Sequence, residues 1–240
     1  MKNPIYPLYL VIDNSASMQN EVDGVTLSEL AMEIPLAILK LYETDPSLVS
    51  ALRVGVISFN IEANTILPLN PIPKLRTLPH TLNPGYRTYF SKVFDELAVQ
   101  IRSDYESLSS SYKVMKPAVL IVTDGIPSDP PEVRKNSYEK LGLKLGGAED
   151  TSLFPTPPQI IVLGVGEADL AKILIYDNTS LSHQNKIRQA KNFQEVSDHL
   201  KAIALWLQTH VSSSLADPKM DEKAPWLDTK EDPNIDNPWG

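Results

Sequence analysis

Five oxygen-bearing side chains sit where two apolar runs stop, or in the stretch between them. Tyr6 to Ile12 is an apolar run that ends in Asp13, and two hydroxyls follow at steps of two, Ser15 and Ser17. A second run, Ala118 to Thr123, ends in Asp124-Gly125. Thr88 lies between the two, in Gly85-Tyr86-Arg87-Thr88. All five offer oxygen, the donor a hard divalent cation such as Mg²⁺ or Mn²⁺ takes. Asp and Ser are also ordinary turn and helix-cap residues, so an isolated D-x-S-x-S reads as a cap. The company of Thr88 and Asp124 turns the reading toward a metal.

These residues need a scaffold that brings strand ends together. The two runs read as strands buried on both faces, as in a parallel sheet. Open α/β sheets place ligands at the carboxyl ends of such strands. Strands are also expected at Ala51–Phe59 and Gln159–Val165, an antiparallel edge strand at Thr65–Leu69, and a short edge strand at Lys186–Ala190. Helical spacing of apolar residues predicts helices over Thr26–Tyr42, kinked at Pro35, and over Tyr89–Tyr112. In Asp129-Pro130-Pro131-Glu132, Asp129 reads as the cap of a helix running to about Leu143. A short helix around Ala168–Tyr176 and a last one over Phe193–His210 complete the pattern. Strands alternating with helices predict a doubly wound, mostly parallel α/β sheet of about six strands, with helices on both faces. Prolines at 68, 71, 73, 79 and 84 predict a long stiffened loop from Pro68 to Arg87, ending at the rim beside Thr88.

The chain has 240 residues, enough for one such domain, and 42% hydrophobic content, ordinary for a globular protein. A net charge of −8 disfavours nucleic acid as the main partner, because phosphates need a basic face. No apolar run has the length of a membrane span. Cysteine is absent, so disulfides, thiolate metal sites and a cysteine nucleophile are excluded. The amino terminus shows no signal-peptide pattern, which predicts a cytoplasmic protein. The expected division is a domain over 1–214 and an acidic, flexible tail over 215–240. That tail holds seven acids and three lysines, half of the net charge, together with Trp226 and Trp239.

Taken together, Asp13, Ser15, Ser17, Thr88 and Asp124 form the pattern D-x-S-x-S…T…D. It resembles the metal-ion-dependent adhesion site of von Willebrand factor A (vWA) domains, over roughly residues 5–213. The resemblance implies that Ser15 and Ser17 bind the ion directly. Thr88 and Asp124 would exchange direct and water-mediated contact, and Asp13 would act through water and orient the serines. Largely neutral ligands leave divalent charge uncompensated, so such a site attracts a carboxylate of a partner protein. Within the group, Tyr9 to Met18, the Thr123–Asp129 turn and the ending Val211-Ser212-Ser213-Ser214 look most like the stand-alone bacterial tellurium-resistance (TerY-like) type. Those proteins are cytoplasmic and are associated with protein kinases and phosphatases of stress or defence systems. One departure stands out. Tyr86, Arg87, Tyr89 and Phe90 replace the small residues common around the family's threonine.

An acid ending a strand beside a divalent ion also suggests a phosphohydrolase of haloacid-dehalogenase type. Such an enzyme needs a second Asp two residues after the nucleophile, and that position is Ser15. No other nucleophile–base pair is apparent, so the interaction module is the preferred reading and the Mg²⁺-dependent phosphohydrolase the alternative.

Overall fold

The structure, a computed structural model, describes residues 2–22, 24–42, 50–79, 82–145, 149–151, 154, 157–166, 170–178, 189–190, 195 and 198. The expected final helix and the 215–240 tail therefore fall outside the described residues, apart from Glu195 and Asp198.

The core of the fold is a mixed sheet around β1 (Pro4–Asp13). β1 pairs in parallel with β4 (Leu52–Phe59) on one side and with β7 (Ala118–Thr123) on the other. A short strand, β6 (Lys113–Val114), extends the β7 side along the first residues of β1. β8 (Gln159–Val165) and then β9 (Gln189–Ala190) continue in parallel beyond β7. Beyond β4 the far edge is β5 (Ala63–Pro71), antiparallel and carrying Pro68 exposed at the margin. An edge is where a strand tolerates proline, since one rim of its hydrogen-bonding groups faces no neighbour. The sheet is thus six positions wide, in the order β5-β4-β1-β7-β8-β9, and β2 (Glu21–Val22) with β3 (Val25–Thr26) forms a separate antiparallel hairpin.

The alternation along β1 explains the two layers. Tyr6, Leu8, Leu10 and Ile12 point into one core, packed with α1 (Leu27–Tyr42) through Leu30, Ala31, Ile34 and Ile38. Tyr9 and Val11 point into the other, packed with α2 (Phe90–Ser109) through Phe90, Val93, Phe94, Leu97 and Ile101. α3 (Pro131–Glu139) and α4 (Leu170–Ile173) with the 3₁₀ turn that follows it supply Tyr138, Ile173 and Tyr176 to that same side. α1 starts with a reciprocal cap: Glu29 N–H donates to Thr26 Oγ1 at 3.1 Å, while Thr26 N–H donates to Glu29 Oε2 at 2.9 Å. The helix then runs unbroken through Pro35.

Three expectations needed correction. Residues 68–87 are not one long loop. β5 continues to Pro71, and a 3₁₀ helix over Ile72–Thr77 buries Ile72 and Leu75 against the α1 side. Ile72 and Leu75, one 3₁₀ turn apart, both reach the core beneath it. α3 stops at Glu139 rather than near Leu143, where Gly142 takes φ +71° and turns the chain. The third correction concerns Asp129 and belongs to the site.

Candidate metal centre

β1 is the strand where the sheet changes direction: the chain crosses from it to β4 on one side and reaches β7 on the other. A crevice opens at the carboxyl end of such a strand. Asp13 is its last residue and is fully buried. The chain turns at once. Ser15 N–H donates back to Asp13 Oδ1 at 2.8 Å, and a 3₁₀ helix over Ala16–Gln19 follows, anchored by fully buried Met18. The turn brings the two hydroxyls together, with Ser15 Oγ 3.1 Å from Ser17 Oγ. From the neighbouring strand end, Asp124 Oδ1 accepts a hydrogen bond from Ser17 Oγ at 2.9 Å.

Thr88 arrives on a third segment that is tied down at both ends. Gly85 N–H donates to Asn14 O at 2.8 Å, and Asn14 Nδ2 donates to Asn83 O. Ser128 N–H donates to Thr88 O at 2.8 Å. Gly85 has to be glycine, because a Cβ there would lie 2.3 Å from the Asn60 side chain. Gly125 has to be glycine for a reason closer to the chemistry. A Cβ there would lie 2.7 Å from Thr88 Oγ1 and 3.0 Å from Asp13 Oδ2. Those two oxygens therefore share one cradle with the backbone after Asp124. All five residues proposed from the sequence meet at one end of the sheet, from three loops.

Thr123 was missed. Its buried hydroxyl donates to Asp13 Oδ2 and accepts from Gly125 N–H at 2.9 Å, so it links both acid-bearing turns. A Thr closing a buried strand reads as an ordinary β-former, and only its place immediately before Asp124 hinted at more. Asp129 was assigned to the wrong helix. Its Oδ2 accepts from Ser91 N–H at 2.7 Å, so it caps α2 across the loop, while Pro130 precedes α3 without a side-chain cap. Buried Arg134 holds Asp129 in place, with Nη1 donating to its backbone oxygen and lying 3.4 Å from Oδ1, and with Nε donating to Tyr176 Oη at 2.9 Å.

The electrostatics follow from burial. Desolvation pushes the Asp13 carboxyl up to about 6, against the hydrogen bonds from Thr123 and Ser15, and the charge of Asp124 adds to the rise. Desolvation also raises Asp124, which Ser17 partly offsets. Two carboxylates in one crevice, with only neutral donors around them among the described residues, make a place for positive charge. Ser15, Ser17 and Asp124 are linked by hydrogen bonds, and oxygens that close together can also share one divalent ion. Among the described residues no cluster of three or more His, Cys, Asp or Glu side chains could hold a metal; the five residues gathered here are two acids and three hydroxyl side chains.

No protein-family profile matches the chain, and no curated protein sequence does. Solved structures do. The SpRpn10 VWA domain superposes with TM-score 0.57 at 11% identity, covering 82% of this chain and 94% of that one. The D319A mutant of the PilB minor pilin from Streptococcus sanguinis gives 0.60 at 13%, covering 88% of this chain. Proximal thread matrix protein 1 from the mussel byssus gives 0.57 at 15%, covering 85%. This chain spans 62% of the pilin and 48% of the matrix protein. At such identities the likeness is one of fold: the chain has the vWA fold, a Rossmann-like α/β sheet. No helix among the described residues is long and apolar enough to cross a membrane.

Proposed function

We propose that this chain is a metal-dependent protein–protein interaction module, which captures an acidic residue of a partner protein on a divalent ion. The observation that carries the reading is the convergence of oxygens from three loops: Ser15, Ser17 and Asp124 joined by hydrogen bonds, with Thr88 Oγ1 and Asp13 Oδ2 against Gly125. Ser15, Ser17 and Asp124 would hold Mg²⁺ or Mn²⁺, with Thr88 beside them and Asp13 fixing the turn. Bound there, the ion would supply a Lewis-acidic position open to a carboxylate from outside. Asp13 suits the supporting role, because Ser15 N–H and the Thr123 hydroxyl each hold one of its oxygens. The same two bonds weigh against Asp13 as a phosphohydrolase nucleophile, whose attacking oxygen must be free. The setting we propose is the bacterial cytoplasm, in a stress-response, tellurium-resistance-like or defence system, with a kinase or phosphatase of that system as partner.

Isothermal calorimetry tests the ion. The full chain should bind Mg²⁺ or Mn²⁺ at one site, and Ser15→Ala or Asp13→Ala should abolish the heat while circular dichroism stays unchanged. Undiminished binding in both variants would overturn the reading. Mg²⁺-dependent release of phosphate from p-nitrophenyl phosphate, lost in Asp13→Asn, would establish the phosphohydrolase instead.

A further inference from the structure

The surface around the site is apolar where it need not be. Eight large hydrophobic side chains are exposed among the described residues, and five of them belong to the site's end of the sheet: Val25, Ile61, Tyr86, Ile126 and Val133. Val25 lies in the small hairpin after the Ser17 turn, and Ile61 in the turn between β4 and β5. Ile126 is two residues beyond Asp124, and Val133 is in the first turn of α3. Single exposed apolar residues are ordinary, but a concentration at one end marks an interaction surface.

Tyr86 is the extreme case, 90% exposed. It does not hang on a slack loop. The bond from Gly85 to Asn14 fixes the chain on one side of it, and the bond from Ser128 to Thr88 fixes it two residues later. A large, amphipathic ring held out by a braced backbone loses little entropy on contact, which is the profile of a binding hot spot. Beside it stands exposed Arg87, whose guanidinium reaches the Tyr89 hydroxyl at 3.5 Å and otherwise faces water. A cation at an apolar rim complements a segment that is both acidic and apolar.

We infer that Tyr86 and Arg87, with Ile61 and Ile126, select the partner segment: the captured Asp or Glu stands adjacent, or next but one, to an apolar side chain that packs on Tyr86. This inference rests on the carboxylate-capture reading above. The acid would provide the metal-dependent attraction, and the flanking residue the choice among acidic segments.

The test is a phage-displayed library of random peptides panned on the full chain in Mg²⁺ and eluted with EDTA. Synthetic copies of the selected peptides are then titrated by fluorescence anisotropy against wild type, Tyr86→Ala and Arg87→Ala. The selected peptides should share one Asp or Glu with an apolar neighbour. Tyr86→Ala, or alanine in place of that neighbour, should each weaken binding about tenfold, and the two changes together should cost little more than either alone. Calorimetric Mg²⁺ affinity should be unchanged in Tyr86→Ala. If the acid is required but its neighbour is immaterial, or if Tyr86→Ala binds like wild type, the selection role fails while the metal reading stands. If no peptide elutes with EDTA, or the apolar peptides bind equally without Mg²⁺, the capture reading fails and takes this inference with it. Mg²⁺-dependent dimerisation by light scattering, lost in Tyr86→Ala, would overturn the inference in favour of a second copy of this chain as occupant.

Discussion

The turn after β7 separates two buried polar clusters that solve the same problem differently. On one side Asp129 is buried with Arg134 against it, and its second oxygen caps α2. On the other, Asp13 and Asp124 share a crevice with the hydroxyls of Ser15, Ser17, Thr88 and Thr123, and the described residues bring no cation to them. The chain carries its own counter-charge in the first cluster and none in the second. A buried carboxylate is costly unless paired or protonated. The first cluster is therefore a permanent part of the fold. The second keeps two acids without a counter-charge among the described residues, which is what the proposed ion would supply.

That contrast can be broken most forcefully at Arg134. Arg134→Met keeps much of the volume but strands Asp129 without its cation, and should cost about 3–5 kcal/mol of stability in urea unfolding. Adding Asp129→Asn should recover a good part of the loss, since no buried charge is then left unpaired. A single Arg134→Met variant as stable as wild type would show that the pair is not what holds this loop.

The second cluster should show its missing charge through pH. The Asp13 carboxyl is raised from 3.8 to about 6, chiefly by burial. In EDTA the folded chain therefore keeps a proton that the unfolded chain has released between those values. Stability then falls as pH rises from about 4 to about 6, by up to about 3 kcal/mol, and levels off above. Asp13→Asn should remove this dependence, so the difference between wild type and the variant isolates it. Saturating Mg²⁺ should restore stability above pH 6 in wild type alone, by about 2.7 kcal/mol at a hundredfold excess over Kd. A wild-type-minus-variant difference that stays flat from pH 4 to 7 would rule out an uncompensated Asp13.

The smallest effect sharpens the contrast within the second cluster. Thr123→Val deletes the hydroxyl that serves both Asp13 and Gly125, at about 1–3 kcal/mol. Thr123→Ser should recover most of it. Because Thr123 fixes Asp13 rather than facing the ion, calorimetry on Thr123→Val should show weakened Mg²⁺ binding, not its loss.

Much of this was legible along the chain because it is local. The unbroken apolar run of β1, the helical spacing in α1 and α2, and acids closing two buried strands are all written in neighbouring residues. They were enough to predict a doubly wound sheet with Asp13, Ser15, Ser17, Thr88 and Asp124 at its carboxyl end, and that is where the structure places them. The proline-rich 68–87 stretch departs from the expected single loop for the opposite reason. Its order comes from Ile72 and Leu75 finding a core, not from any local pattern.

Tertiary structure alone decided which donor meets which acid. The sequence Asp129-Pro130-Pro131-Glu132 offers a cap to the helix that follows, yet Asp129 caps α2 at Ser91, 38 positions back along the chain, rather than the helix next door. Thr123 and Asp13 are separated by 110 positions, and only the pairing of β1 with β7 brings hydroxyl and carboxylate together. The glycines at 85 and 125 became intelligible only when Asn60 and Thr88 were seen against them. The physical reason is common to all three. Hydrogen bonds act over about 3 Å, and the sequence fixes distances of that size only between near neighbours. Strand ends, periodicity and donor types are therefore sequence properties, while the satisfaction of each buried charge belongs to the folded sheet.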